Sequence, residues 1–149
     1  MTKNMTAFLQ MVARSEGTDI IPDSDNGYRV LVGGGIFESY ADHPRKLVQL
    51  QPNLASTAAG RYQILARIYD HYKVQLHLPG FSPLSQDKIA IQLVRECHAE
   101  EDIEAGRLQD AIRKCSSRWA SLPGASYGQH EQTENFLMTA YLEAGGTVA

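Results

Sequence analysis

The chain has 149 residues, of which 43% are hydrophobic, 21% charged and 8% aromatic, and its 14 Lys and Arg against 17 Asp and Glu give a formal net charge of -3. These proportions belong to an ordinary folded domain, and the slight acidic balance offers no global positive field to phosphate backbones or anionic lipid, so no nucleic-acid partner is expected. No apolar run reaches the roughly 20 residues that cross a bilayer, and Met1-Thr2-Lys3-Asn4 leads into a mixed segment without a secretory apolar core, so a cytoplasmic product with no signal peptide is expected. Without repeats, low-complexity tracts or a linker, residues 1–149 read as a single domain.

From Asn4 to Glu16, apolar Met5, Phe8, Leu9 and Val12 recur at helical spacing, and Gly17 follows as a C-terminal stop. Asp23-Ser24-Asp25-Asn26-Gly27 is turn chemistry. Tyr28 to Val32 and Ile36 to Tyr40 are strand-like and joined by Gly33-Gly34-Gly35, which predicts a small antiparallel hairpin. After a loop around Gln51-Pro52-Asn53, a second helix is expected from about Gly60, with Tyr62, Leu65, Tyr69, Tyr72 and Leu76 on one face, ending before Pro79-Gly80. Ser82-Pro83 supplies an N-cap and a proline at the first helical position of a third helix that buries Ile89, Leu93, Val94 and Cys97. His98-Ala99-Glu100-Glu101-Asp102 reads as a solvated bend. Ile103 and then Ala111, Ile112 and Cys115 mark two short apolar faces separated by Gly106, and a last helix from about Gln129 carries Phe136, Leu137, Ala140 and Tyr141. Helix, small sheet and several helices make an α+β class with the sheet segregated, and a cleft is expected where a small sheet lobe meets a mainly helical lobe.

Glu16 is the most suggestive single residue. A carboxylate at a helix C-terminus faces the negative end of the helix dipole, which together with partial burial favours the protonated form and so a general acid. The plainer alternative is a solvated helix-end residue. A glycosidase of the two-carboxylate kind needs a partner for it, and Asp19, Asp23, Asp25, Glu38 and Asp42 are available by type without any standing out. Asp23 and Asp25 suit turns, and Asp42 suits a cap in Asp42-His43-Pro44. His43, His71, His77, His98 and His130 are scattered with no ligand spacing, so neither a metal site nor a cofactor is expected. Cys97 and Cys115 lack CxxC spacing and read as packing residues. Ala58-Ala59-Gly60-Arg61-Tyr62-Gln63 and Leu122-Pro123-Gly124-Ala125-Ser126-Tyr127-Gly128-Gln129 set aromatics and amides beside glycines, a texture that suits the apolar faces and hydroxyl rims of sugars. Tyr62, Gln63, Tyr127 and Gln129 are therefore candidate substrate contacts. For Tyr62, core packing at helical spacing is the favoured alternative.

Taken together, Ser15-Glu16-Gly17-Thr18-Asp19, Gly27-Tyr28 with Val32-Gly33-Gly34, Asp42-His43-Pro44-Arg45-Lys46-Leu47-Val48, Ala59-Gly60-Arg61-Tyr62-Gln63, Phe81-Ser82-Pro83 with Ser85-Gln86-Asp87, and Trp119 to Ala125 resemble the lambdoid phage endolysins over nearly the whole chain. The resemblance implies a lysozyme-like fold and a lytic transglycosylase that cuts the β-1,4 bond between N-acetylmuramic acid and N-acetylglucosamine in peptidoglycan, leaving a 1,6-anhydro end and lysing the host cell. It implies a single catalytic glutamate at Glu16. It also implies that Gln63 and Tyr127 orient substrate, that residues 46–55 and 123–135 form the lips of the cleft, and that a monomer accumulates in the host cytoplasm until a holin releases it to the periplasm. A hydrolytic muramidase and a non-catalytic glycan-binding module of the same fold are the alternatives.

Overall fold

The computed structural model of the chain describes residues 1–124 and 132–149, which form two compact units. One consists of Met1–Ser15 with Ala90–Ala149, the other of Glu16–Ile89.

The first unit is helical and is built on α1 (Lys3–Glu16), the last residue of which begins the other unit. Thr2 caps the helix by accepting the Met5 N–H on its hydroxyl at 3.1 Å. Met5, Ala7, Phe8, Leu9, Met11, Val12 and Ala13 are all buried, a face too wide for a surface helix and suited to one with neighbours on several sides. The same unit holds the second half of α3 (Pro83–Glu96), α4 (Glu100–Glu104), α5 (Leu108–Cys115) and α6 (Glu134–Glu143). Trp119, Leu122, Leu137, Tyr141, Ile103 and Ile112 fill its core. Buried Asn4 donates to the Ile103 carbonyl at 3.0 Å and accepts from the Thr147 N–H at 3.0 Å, which ties the chain's C-terminal segment to its first helix. Ser15 and Ser121 hydroxyls meet at 2.7 Å near the end of α1.

Two expectations for this unit need correction. Residues 98–102 are not simply a solvated bend, because α4 starts at Glu100 and Asp102 is only 5% exposed. Its carboxylate receives Arg107 Nε at 2.8 Å and Lys114 Nζ at 2.6 Å, and these two cations hold the chain inward and keep the carboxyl below its usual range. The last helix begins at Glu134, where Thr133 accepts the Phe136 N–H at 3.1 Å, and Phe136 itself is 39% exposed while Leu137, Ala140 and Tyr141 are buried as expected.

In the second unit the regular sheet lies in a different place from the predicted hairpin. It is a two-stranded antiparallel pair, β1 (Val48–Gln51) and β2 (Leu54–Ser56), with Val48 opposite Ser56 and an irregularity between Gln49 and Gln51. Residues 28–40 do turn back on themselves, with Leu31 N–H donating to Gly35 O at 2.7 Å and Phe37 N–H to Arg29 O at 2.9 Å, but only as the isolated bridge Val30–Ile36. No ladder forms because the next residues pair elsewhere: Leu31 bridges to Ala59 and the Val32 N–H donates to Ala58 O. The second helix, α2 (Ala66–Gln75), starts six residues later than its apolar spacing suggests. Its intended first turn is a tight reversal, residues 60–63, closed by an Ala59–Ile64 bridge with bonds of 3.1 and 2.8 Å. Ser82 and Pro83 open α3 as expected, the Ser82 hydroxyl accepting the Ser85 N–H at 3.2 Å. Phe37, His43, Tyr69 and Phe81 form the aromatic core, with ring centroids of His43 and Tyr69 at 4.8 and 5.2 Å from that of Phe81.

Candidate active site

Glu16 is the last residue of α1, half-buried, and Gly17 follows it with φ of +77°, the left-handed conformation that ends a helix and that L side chains resist. The chain can therefore leave α1 abruptly, with the carboxylate at the negative end of the helix dipole. Thr18 is buried, and its hydroxyl donates to the Arg61 carbonyl at 2.6 Å. Two residues from Glu16 on one segment are thus bonded to a residue two places from Gln63 on another.

The 60–63 turn that receives this bond is itself held from below. Gln86, fully buried on α3, accepts the Arg61 N–H at 2.9 Å and donates to the Tyr28 and Phe81 carbonyls at 3.0 Å each. The Arg61 guanidinium donates to Asn26 O at 3.1 Å and lies over the rings of Tyr28 and Tyr62 at 5.3 and 5.7 Å. Both phenols donate to the same oxygen of Asp87, at 2.8 Å from Tyr28 and 2.6 Å from Tyr62. Burial, then the Asp87 charge, pushes the Tyr28 hydroxyl up to about 12 and raises Tyr62 in the same direction, so both remain donors. Tyr62 is 2% exposed. Its surroundings make it a packing residue that supports the turn, and it does not present its ring to a sugar.

Gln63 is half-buried in the left-handed region at φ of +53°, and its Nε2 donates to Gly60 O at 2.9 Å and Val30 O at 3.4 Å. With the amide nitrogen so used, Oε1 is the atom left to meet a donor. Tyr127 and Gln129 lie outside the described residues.

The carboxylates weighed as partners for Glu16 are mostly taken. Asp25 accepts the Tyr40 hydroxyl, Glu38 pairs with Arg29 at 2.6 Å, and Asp42 shares Arg45 with Asp70, at 2.8 and 2.6 Å. Asp23 is exposed in a turn at φ of +59°. His43 is buried with Nε2 2.8 Å from Ile64 O and Nδ1 accepting the Arg45 N–H at 2.9 Å, so it is a neutral structural histidine. Among the described residues no group of three or more His, Cys, Asp and Glu could hold a metal ion. Thr18, Arg61, Gln86 and Asp87 are the supporting residues that periodicity and composition alone did not single out, although each falls inside a motif block of the resemblance.

A family model described as Endolysin matches residues 6–148. The endolysin of Escherichia phage lambda is 53% identical over 144 residues, covering 95% of this chain and 91% of that protein. The endolysin of Escherichia phage P2 is 49% identical over 158 residues, covering 99% and 96%. Among solved structures, bacteriophage lambda lysozyme complexed with a chitohexasaccharide matches with a TM-score of 0.98 at 50% identity, over 100% of this chain and 98% of that one. A second structure of lysozyme from bacteriophage lambda matches with a TM-score of 0.94 at the same identity and coverage. The α+β fold described above is therefore the lambda lysozyme fold. With a family model spanning nearly every residue and two relatives at about half identity over almost their full lengths, the chain belongs to the endolysin family.

Proposed function

We propose that residues 1–149 are one catalytic domain that lyses cells by cutting peptidoglycan glycan strands, and that it does so as a lytic transglycosylase with Glu16 as its acid and base. The observation that carries the proposal is the place of Glu16, half-buried at the C-terminal end of α1 on a segment bonded through Thr18 to the Gln63 turn. Of the other acidic side chains, Asp25, Glu38, Asp42, Asp70 and Asp87 are each engaged by a tyrosine or an arginine. A reaction that needs one carboxylate fits that arrangement better than one that needs two.

In this mechanism Glu16 protonates the leaving glycosidic oxygen. As a carboxylate it then takes the proton of the muramic acid C6 hydroxyl, whose oxygen attacks C1 and closes the 1,6-anhydro ring, so the glutamate ends as it began. Gln63 Oε1 receives a substrate N–H or O–H and holds the sugar across the reacting bond, with Tyr127 and Gln129 as further contacts. The chitohexasaccharide in the lambda lysozyme complex supports a glycan as the ligand class. The chain acts as a monomer without cofactor or metal, accumulates in the host cytoplasm and reaches the periplasmic peptidoglycan when a holin opens the inner membrane. The description of the solved relatives as lysozymes favours the second reading, hydrolysis with water as acceptor.

Mass analysis of fragments released from purified Gram-negative peptidoglycan tests the proposal. Anhydro-muramyl ends are expected, falling by about 10³-fold in rate for Glu16→Gln. Reducing muramyl ends would replace transglycosylation by hydrolysis, and strand binding without fragments from either protein would indicate a non-catalytic module.

A further inference from the structure

Outside the proposed reaction, the helical unit holds a pair of thiols at the ends of α3 and α5. Cys97 directly follows α3, its N–H bonded to Leu93 O at 3.0 Å, and Cys115 is the last residue of α5. Two contacts bracket the pair: Arg118 Nη2 reaches Glu96 Oε1 at 3.2 Å on one side, and Lys114 Nζ reaches the His98 carbonyl at 3.4 Å on the other. Glu96 and His98, on either side of Cys97, are therefore held by Arg118 and Lys114, three residues after Cys115 and one before it, and the two unbridged thiols are near enough to share a hydrogen bond. Cys97 is half-buried and also receives hydrogen bonds from Ser117 and Arg118, while Cys115 is wholly buried.

We propose that Cys97 and Cys115 form a reversible dithiol–disulfide site in which Cys97 is the attacking thiol, Cys115 the resolving thiol, and a small-molecule disulfide the oxidant. The division of roles follows from exposure and from the hydrogen bonds. The bond from Cys115, followed by those from Ser117 and Arg118, brings the Cys97 thiol down to about 6 against the cost of burial, and the bond to Cys97, with burial, raises Cys115. Of the charges nearby, Lys114 acts on Cys115 against Asp102, and Glu96 partly neutralises Arg118. A reagent thus meets one accessible thiolate backed by one protonated thiol.

The exchange balances without further reactants. Cys97 thiolate attacks one sulfur of the oxidant, whose S–S bond breaks and whose other half leaves as a thiolate. Cys115 then gives up its proton and attacks the Cys97 sulfur, expelling the second half. The protein loses two electrons and two thiol protons, and the oxidant becomes two thiols.

The test is incubation of the full chain, natively folded, with glutathione disulfide, quenching with N-ethylmaleimide and peptide mapping. Loss of two thiols with a peptide pair joined through Cys97 and Cys115, restored by dithiothreitol, is expected. Cys115→Ser should stall as a glutathione adduct on Cys97, and Cys97→Ser should not react. Since a polar hydroxyl at buried position 115 can unfold the chain, the rate of iodoacetamide alkylation of the natural protein against pH is the second measurement. It should rise with a midpoint below the ordinary thiol value of about 8.5 and modify Cys97 at least about tenfold faster than Cys115 at neutral pH. Equal rates at the two cysteines, a midpoint near the ordinary thiol value of about 8.5, or oxidation that links different molecules would overturn the proposal.

Discussion

Gln63 combines two features that seldom occur together by accident, a left-handed backbone without glycine and a side-chain amide pinned to two carbonyls of its own unit. Gln63→Glu keeps the shape and removes the donors, setting a carboxylate against Gly60 O and Val30 O. Turnover should fall about 10–100-fold with a stability loss of about 1 kcal/mol, read from steady-state lysis kinetics and a urea titration on one preparation. Unchanged turnover would remove Gln63 from the reaction. His43 carries a different prediction. Burial holds its imidazole below the usual 6.5, with the neutral ring bridging Ile64 O and the Arg45 N–H. As pH falls below about 6.5 the unfolded chain takes up a proton that the folded chain refuses, so stability present at pH 7 is lost on acidification toward the lowered folded value. Thermal unfolding from pH 7 to 5 should show Tm falling, and the fall should flatten in His43→Gln, whose amide can both donate and accept. A slope equal in the variant would assign the effect to other groups.

The turn at residues 60–63 depends on Gly60, at φ of +84°, where an added Cβ would lie 2.3 Å from Gln86 Oε1 and 2.8 Å from its Cδ. Gln86 cannot swing aside without breaking its three bonds to Arg61, Tyr28 and Phe81. Gly60→Ala should therefore cost about 2 kcal/mol or more, and because the same turn carries Gln63, activity at temperatures well below unfolding should fall too. Activity held at the natural level would separate the turn from the site. This element also shows where sequence patterning stopped. Tyr62, Tyr69 and Tyr72 do fall at helical spacing and are all buried, but Tyr62 is held by Asp87 on α3 and not by its own helix, and two positive φ values end the helix before it starts. The same limit explains residues 28–40, whose strand-like composition is real but whose partners are divided between Ile36 and Ala59. It explains Asp102 as well, since an acidic run reads as solvated until Arg107 and Lys114 are found 5 and 12 residues away. Glu16 with Gly17, and the Ser82-Pro83 start of α3, were legible because cap and stop signals are local. The Thr18–Arg61 bond joins residues 43 apart and leaves no periodic trace.

Across the chain as a whole, the described residues include no helix long and apolar enough to cross a membrane, and exposed apolar side chains recur in one place that the proposed reaction can use. Leu47, Leu50 and Leu54 are 66%, 40% and 41% exposed on and beside the β1–β2 hairpin, within residues 46–55 that the family resemblance assigns to a lip of the cleft. Single exposed leucines need no explanation, but three within the eight residues 47–54 of a short two-stranded element leave a large share of their apolar surface in solvent. In a transglycosylase such a surface has a use. The C6 hydroxyl competes with water for the same anomeric carbon, and an apolar lip over the bound glycan lowers the local activity of water without touching the internal nucleophile. Leu50→Ser with Leu54→Ser should therefore leave unfolding within about 0.5 kcal/mol of the natural protein, since both positions are exposed. It should raise the share of reducing over anhydro muramyl ends at a given extent of digestion. An unchanged product ratio with intact stability would show that water is excluded by other residues, and a lower total rate at constant ratio would make the hairpin a binding surface alone.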